Sequence, residues 1–181
     1  MAKQYDSIDD RLSTFIGQQK LFFVASAAAD GRVNLSPKGM DSFRVLTPKR
    51  VIWLNLTGSG NETAAHLYEN GRITVMFCAF EGPPNILRLY GTGSVIHPRD
   101  TRWEEYISRF SSIAGARQII EVEVEVAQTS CGYAVPLFDY QGDRDILTRW
   151  AEKKGDAGVR QYWEDENRFS IDGKPTHILE E

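Results

Sequence analysis

The sequence predicts a mainly β fold, a small antiparallel β-barrel with peripheral helices. Short β-prone runs follow one another across turns too brief for helical crossovers, which favours antiparallel over parallel pairing. The run Ile86 to Ile96 is interrupted by Gly91 and Gly93, the mark of a bulge or a barrel corner. The run Ile120 to Val126 alternates apolar residues with Glu121, Glu123 and Glu125, so one face is expected in a core and the other in water.

Taken in order, Ser7-Ile8-Asp9-Asp10 reads as a helix start with a Ser cap, followed by Ile8, Leu12, Phe15 and Ile16 at helical spacing. Leu21 to Ala27 is a nearly continuous apolar strand, turned at Asp30-Gly31 into a second strand, Arg32 to Lys38. Along that second strand Val33 and Leu35 alternate with Asn34, Ser36 and Lys38, which predicts a core face and a polar face. Phe43 to Leu46, the turn Thr47-Pro48-Lys49 and the run from Val51 continue the meander. A short helix opens at Asn61 and ends at Gly71, with His66 read as a surface or capping residue. Arg72 to Phe80 is an apolar, central strand in which Cys78 fills core. Helical sequence returns at Asp100 to Phe110. After the irregular aromatic stretch Cys131 to Tyr140 come a helix from about Arg144 to Lys154, stopped by Gly155, and another over Val159 to Arg168. The tail from Ser170 is expected to be loose. The organisation that follows is a barrel domain over 1–141, carrying the N-terminal helix, and a helical extension over 142–181 packed on the barrel or on a partner subunit.

Composition narrows the function. The 181 residues carry a net charge of −4, which disfavours nucleic acid as partner. Cys78 and Cys131 sit in no Cys-x-x-Cys or Cys/His pattern, so neither a metal site nor a disulfide framework is predicted, and a reduced, cytoplasmic setting is the simplest. No apolar leader and no run approaching about 18 apolar residues is visible, which argues against a membrane role.

The stretch with chemistry in it is Val51 to Leu67, VIWLNLTGSGNETAAHL, which passes from an apolar strand through a glycine-broken turn into a helix. First-turn amides of a helix lack intrahelical partners and lie at the positive end of its dipole. With Thr57, Gly58, Ser59, Gly60, Asn61 and Thr63 around them they form the outline of a phosphate cradle, Asn61 standing at the N-cap. An ordinary strand–turn–helix junction would read the same way, and the spacing fits neither a Walker loop nor G-x-G-x-x-G. Lys38, at the end of its strand before Gly39, adds an ammonium within reach of an anion.

Together, Asn-Leu-Ser-Pro-Lys-Gly at 34–39, Thr-Gly-Ser-Gly-Asn-Glu-Thr-Ala-Ala-His at 57–66 and the glycine-bearing strand after them resemble the pyridoxamine 5′-phosphate oxidase-like family, whose fold is the antiparallel FMN-binding split β-barrel. The likeness covers most of the chain. It is strongest to a branch that carries Ser-Cys-Gly-Tyr-x-Val-Pro and Arg-Asp-x-Leu-x-Arg-Trp-Ala-Glu-Lys-Lys-Gly, here at 130–136 and 144–155.

The resemblance implies an FMN at a homodimer interface. Its phosphate would be held by Lys38 and by Asn61-Glu62-Thr63, and its ring would run along the backbone of Asn34, Leu35 and Ser36. Arg149 and Trp150 are expected to cover the flavin across the interface. Two departures separate this chain from the authentic oxidases: Asn-Glu-Thr stands where they carry Ser-Arg-Lys, so Glu62 must turn from the phosphate, and their Trp-Arg-Leu-x-x-x-Arg segment is absent from the tail. FMN binding and oxidoreductase chemistry on a small substrate are therefore expected without pyridoxamine phosphate oxidation, and no catalytic residue is nominated. A non-catalytic flavin carrier or sensor, or a barrel for another phosphorylated ligand, are the alternatives.

Overall fold

The computed structural model describes residues 2–180. Eight strands form one antiparallel sheet: β1 (Lys3–Tyr5), β2 (Phe22–Ser26), β3 (Asn34–Lys38), β4 (Phe43–Thr47), β5 (Arg50–Leu56), β6 (Arg72–Cys78), β7 (Ile86–Ile96) and β8 (Ala116–Ser130). Their order is β3-β2-β6-β7-β8-β5-β4, with β1 added to β8. The path ends at β3 on one side and β4 on the other, so the barrel is split as expected. Four helices lie around it: α1 (Asp10–Gln18), α2 (Glu62–Asn70), α3 (Trp103–Ile107) and α4 (Ile146–Glu166).

The chain curls where the glycines predict it. Register between β7 and β8 shifts at Tyr90/Gly91, and a Cβ on Gly91 would come within 2.0 Å of the Glu123 carbonyl oxygen, so only glycine permits that approach. The barrel interior is filled by Phe22, Val24, Val51, Trp53, Val75, Phe77, Leu87, Leu89, Ile120 and Val122, with Ile8, Leu12 and Ile16 of the α1 region packed into the same cluster. Because β5 is covered on both faces, its run is continuously apolar: Val51 and Trp53 face the interior, while Ile52 and Leu54 join Ile96, Tyr106 and Ile119 beneath α3.

Five expectations are corrected. The cap of α1 is Asp9, which accepts the Leu12 amide at 2.8 Å, and not Ser7. On β3 the faces are reversed: Val33 is 73% and Leu35 64% exposed, while Asn34, Ser36 and Lys38 turn inward, because an edge strand beside a polar cavity gains nothing from apolar inward residues. His66 is buried, its Nδ1 sharing a hydrogen bond with the Ser26 hydroxyl at 3.0 Å. Asn61 precedes α2 but makes no capping bond.

The fifth concerns the tail, which is fastened to the barrel. Thr176 and Ile178 are buried, Asp172 accepts the Arg32 amide at 2.7 Å, Lys174 bridges Asp30 and Glu69, and Arg99 donates to the His177 carbonyl at 2.7 Å. The break read at Gly155 is present, its φ of 66° lying outside the helical range, but the second helical segment follows directly across that kink, so both belong to α4. Cys78 is core filling, as expected. No helix among the described residues is long and apolar enough to cross a membrane.

Candidate ligand-binding site

A cavity of about 690 Å³ opens where β3, the end of β5, the 58–60 turn, the start of α2, β8 and the tail converge. The size is that of a small-molecule site, roughly 300–1,000 Å³. Its walls include Asn34, Ser36, Lys38, Gly58, Ser59, Gly60, Asn61 and Thr63, eight of the residues singled out in the sequence. Inversion of β3 is what brings the first three there.

The polar groups are connected. Asn34 donates to the Thr63 hydroxyl at 3.2 Å and accepts the Ser36 hydroxyl at 3.0 Å, joining β3 to the first turn of α2. Asn61, in place of capping, exchanges hydrogen bonds with Gln118, the shorter from Gln118 Nε2 to Asn61 Oδ1 at 2.8 Å. It thereby pins the helix start to β8. Glu62 accepts the Ile171 amide at 3.1 Å, so its carboxylate is tied to the tail.

Four of the predicted residues take other places. Thr57 is spent on structure: its hydroxyl donates to the Gly115 carbonyl at 2.8 Å and accepts Trp163 Nε1 at 2.9 Å. Leu35 is exposed and contributes no side chain to the cavity. Trp150 lines a neighbouring apolar groove with Met40, Leu147 and Tyr162, meeting Tyr162 edge-on at 5.0 Å. Gly58 and Ser59 belong to both walls. Arg149 faces solvent and pairs with Asp145 at 2.8 Å, so within the protomer it joins neither cavity nor groove.

Residues not foreseen complete the site. Arg117 of β8, 2% exposed, reaches the cavity and donates through Nη1 to the Gly60 carbonyl at 3.1 Å and to Asn167 Oδ1 at 2.7 Å, while its buried Nε has no partner. Asn55 turns a buried, unpaired Oδ1 in the same wall, and Phe169, Ser170 and Ile171 close one side. Nothing in the sequence marked Arg117: counted by twos along the alternating run, residue 117 falls with Glu121 and Glu123 on the face expected in water.

The electrostatics of the cavity are dominated by two buried cations. Burial pulls the Lys38 ammonium down to about 8, helped by the like charge of Arg117. Burial also presses the Arg117 guanidinium below its usual range. Among the described residues neither cation meets a carboxylate within ion-pair distance, whereas Arg32, at the same rim, is paired with Asp172. Two desolvated cations in one cavity wall are unfavourable unless a countercharge is supplied.

Comparison with known proteins gives the family. Residues 8–131 match the family model of pyridoxamine 5′-phosphate oxidase. The chain is 42% identical to a pyridoxamine 5′-phosphate oxidase family protein, ustO, of Aspergillus flavus over 189 aligned residues, covering 94% of this chain and 76% of that protein. Among solved structures it is similar to HupZ of Group A Streptococcus (23% identity, TM-score 0.53, 66% of this chain and 91% of that one). A putative pyridoxamine 5′-phosphate oxidase of Lactobacillus delbrueckii is also similar (16% identity, TM-score 0.54, 68% and 94%). At those identities the two structures speak for the fold alone.

Proposed function

Because the chain belongs to the pyridoxamine 5′-phosphate oxidase family, we propose that it binds FMN in the cavity of Lys38 and Arg117 and serves as a flavin-dependent oxidoreductase on a small substrate. The observation that carries the reading is this pair of cations, desolvated and without a carboxylate partner among the described residues, beside the first turn of α2. A flavin phosphate bears nearly two negative charges and would satisfy both cations and the free first-turn amides together. The residues fit the rest of the molecule as well. Asn55 Oδ1 offers a buried acceptor for a flavin N–H or ribityl hydroxyl, and the Asn34 to Ser36 strand offers backbone groups to a ring edge. Bound there, the flavin would supply the redox chemistry, while the chain supplies countercharge, orientation and a water-poor wall.

The proposal includes a homodimer. Val33 and Leu35 on the edge strand β3, and Tyr133, Leu137, Phe138 and Tyr140 in the stretch after β8, are large apolar side chains facing solvent in the protomer. A second copy covering them would shelter the edge and enclose the flavin. Sedimentation at micromolar concentration tests this, and a monomer that still retains flavin would overturn it.

The reading of the site is tested by the visible spectrum of the purified protein and by titration with FMN and riboflavin. FMN is expected to bind with flavin absorption bands and to lose roughly tenfold to a hundredfold in affinity in Lys38→Met, as one charge-assisted contact would predict, with riboflavin unchanged. Failure to bind FMN removes the flavin reading. An equal loss for both ligands removes Lys38 from the phosphate.

A further inference from the structure

We infer that Asn167 is the positioning residue that fixes Arg117 in the cavity wall while leaving its positive charge for a phosphate ester. The inference rests on the preceding reading of the ligand as phosphorylated, and it concerns a residue outside the sequence motifs and outside the matched segment 8–131.

Asn167 ends α4 and has no solvent exposure. Its Oδ1 accepts Arg117 Nη1 at 2.7 Å, and its Nδ2 donates to the Gly58 carbonyl at 3.0 Å. Its own carbonyl accepts the Thr176 hydroxyl at 2.6 Å, and its amide donates to the Trp163 carbonyl at 3.0 Å. One side chain thus ties β8 to the 58–60 turn, and its main chain anchors the tail that lines the cavity. The orientation of the amide is determined by its neighbours. Turned over, its N–H groups would confront the guanidinium and its oxygen would confront the Gly58 carbonyl, two contacts between like partners.

The chemistry of the residue matters as much as its place. A guanidinium has five N–H donors and no acceptor; here one nitrogen is oriented by two neutral oxygens, of Gly60 and Asn167, while buried Nε is left over. A neutral acceptor orients Arg117 without cancelling it. An aspartate of the same shape would make a buried ion pair, and a ligand phosphate would then have to compete with a carboxylate already in place. The other acidic groups at the cavity do not take that role: Glu62 is tied to the Ile171 amide, and Glu166 makes no ion pair among the described residues. An uncharged residue at 167 therefore makes the site selective for a phosphomonoester over the corresponding alcohol.

The test is the dissociation constants of FMN and riboflavin for wild type, Arg117→Met, Asn167→Asp and Asn167→Ala. Arg117→Met and Asn167→Asp are each expected to weaken FMN roughly tenfold to a hundredfold, the range for one charge-assisted contact, and to leave riboflavin within about twofold. Asn167→Ala removes the orienting oxygen while keeping the charge. It is expected to weaken FMN by a smaller factor, again without affecting riboflavin, and it decides the matter should N167D not fold. FMN binding unchanged in N167D and N167A while R117M loses affinity would overturn the role of Asn167 and leave the phosphate reading standing. Unchanged FMN binding in R117M would instead remove the reading on which the inference depends. Equal losses of FMN and riboflavin in the Asn167 variants would make the residue merely structural and overturn the inference.

Discussion

Two buried ionic residues stand four positions apart on β8, Arg117 and Glu121, and their surroundings follow opposite rules. Around Glu121 every charge is answered: Arg50 approaches to 3.2 Å, Arg102 is in direct contact, and the Tyr106 hydroxyl donates at 2.8 Å. Around Arg117 the acceptors are neutral, and Lys38, which lines the same cavity, has the same sign. A buried charge left without a partner costs several kcal/mol, so a fold selected for stability alone would pair both. On the proposed reading, the contrast separates a charge that closes the structure from a charge held ready for a ligand.

The largest effect that could break this contrast is on stability at Glu121. Glu121→Leu removes the acceptor of a buried tyrosine hydroxyl and the partner of two arginines that are half exposed and can turn to water. A loss of about 2–3 kcal/mol in urea unfolding is expected, below the full cost of stranding a buried charge. FMN affinity should stay within about twofold. Should FMN weaken as strongly as in Lys38→Met, the two sites would not be separate.

A somewhat smaller effect is expected from pH. In the ligand-free protein Lys38 titrates at about 8, and the phosphate of a flavin is fully ionised well below that. FMN affinity should therefore be highest near pH 7 and fall as pH rises through about 8, by roughly tenfold between pH 7 and 9, because only the ammonium form grips the dianion, which itself is lost below about pH 6. Riboflavin should show no such slope. A common slope for both ligands would assign the titration to a group near the ring.

Much of the fold was legible because period and punctuation agree: β5 as a continuous apolar run, the hairpin at Asp30-Gly31, the bulge at Gly91 and the break at Gly155 all stand where local chemistry puts them. What misled was an average rule applied at an edge. Val33 and Leu35 alternate like a core face, yet β3 ends the sheet, and its inward side is a polar cavity. The turn and Lys38, singled out from residue type alone, do come together in one cavity wall. Arg117, Asn55 and Asn167 were not: Arg117 acquires its meaning from Gly60, 57 positions away, and Asn167 from Gly58, 109 positions away, while Asn55 acquires its own only from the cavity wall it shares with Arg117. The tail misled for the same reason. Its polar composition reads as loose, but Lys174 and Asp172 find Asp30, Glu69 and Arg32 only once the sheet is folded.

The smallest expected effect is also the one that tests the contrast without any ligand. If Lys38 is a charge kept at a cost to the fold, Lys38→Met should stabilise the ligand-free protein where Glu121→Leu destabilises it. The folded-state value of Lys38, about 8, lies below the value of roughly 10.4 for lysine in an unfolded chain. Between those values the unfolded chain binds the proton and the folded one does not, so wild-type stability rises with pH there, and the cost of the buried ammonium is fully present below about pH 8. The gain in Lys38→Met should accordingly be greatest at pH 7, about 1 kcal/mol once relaxation of the long side chain is allowed for, and should vanish as pH approaches 10. Urea unfolding of the two proteins at pH 7 and at pH 9.5 measures it. A variant less stable than wild type at both values would make Lys38 a structural cation like Arg50, and the distinction between the cavity cations and the charges around Glu121 would be lost.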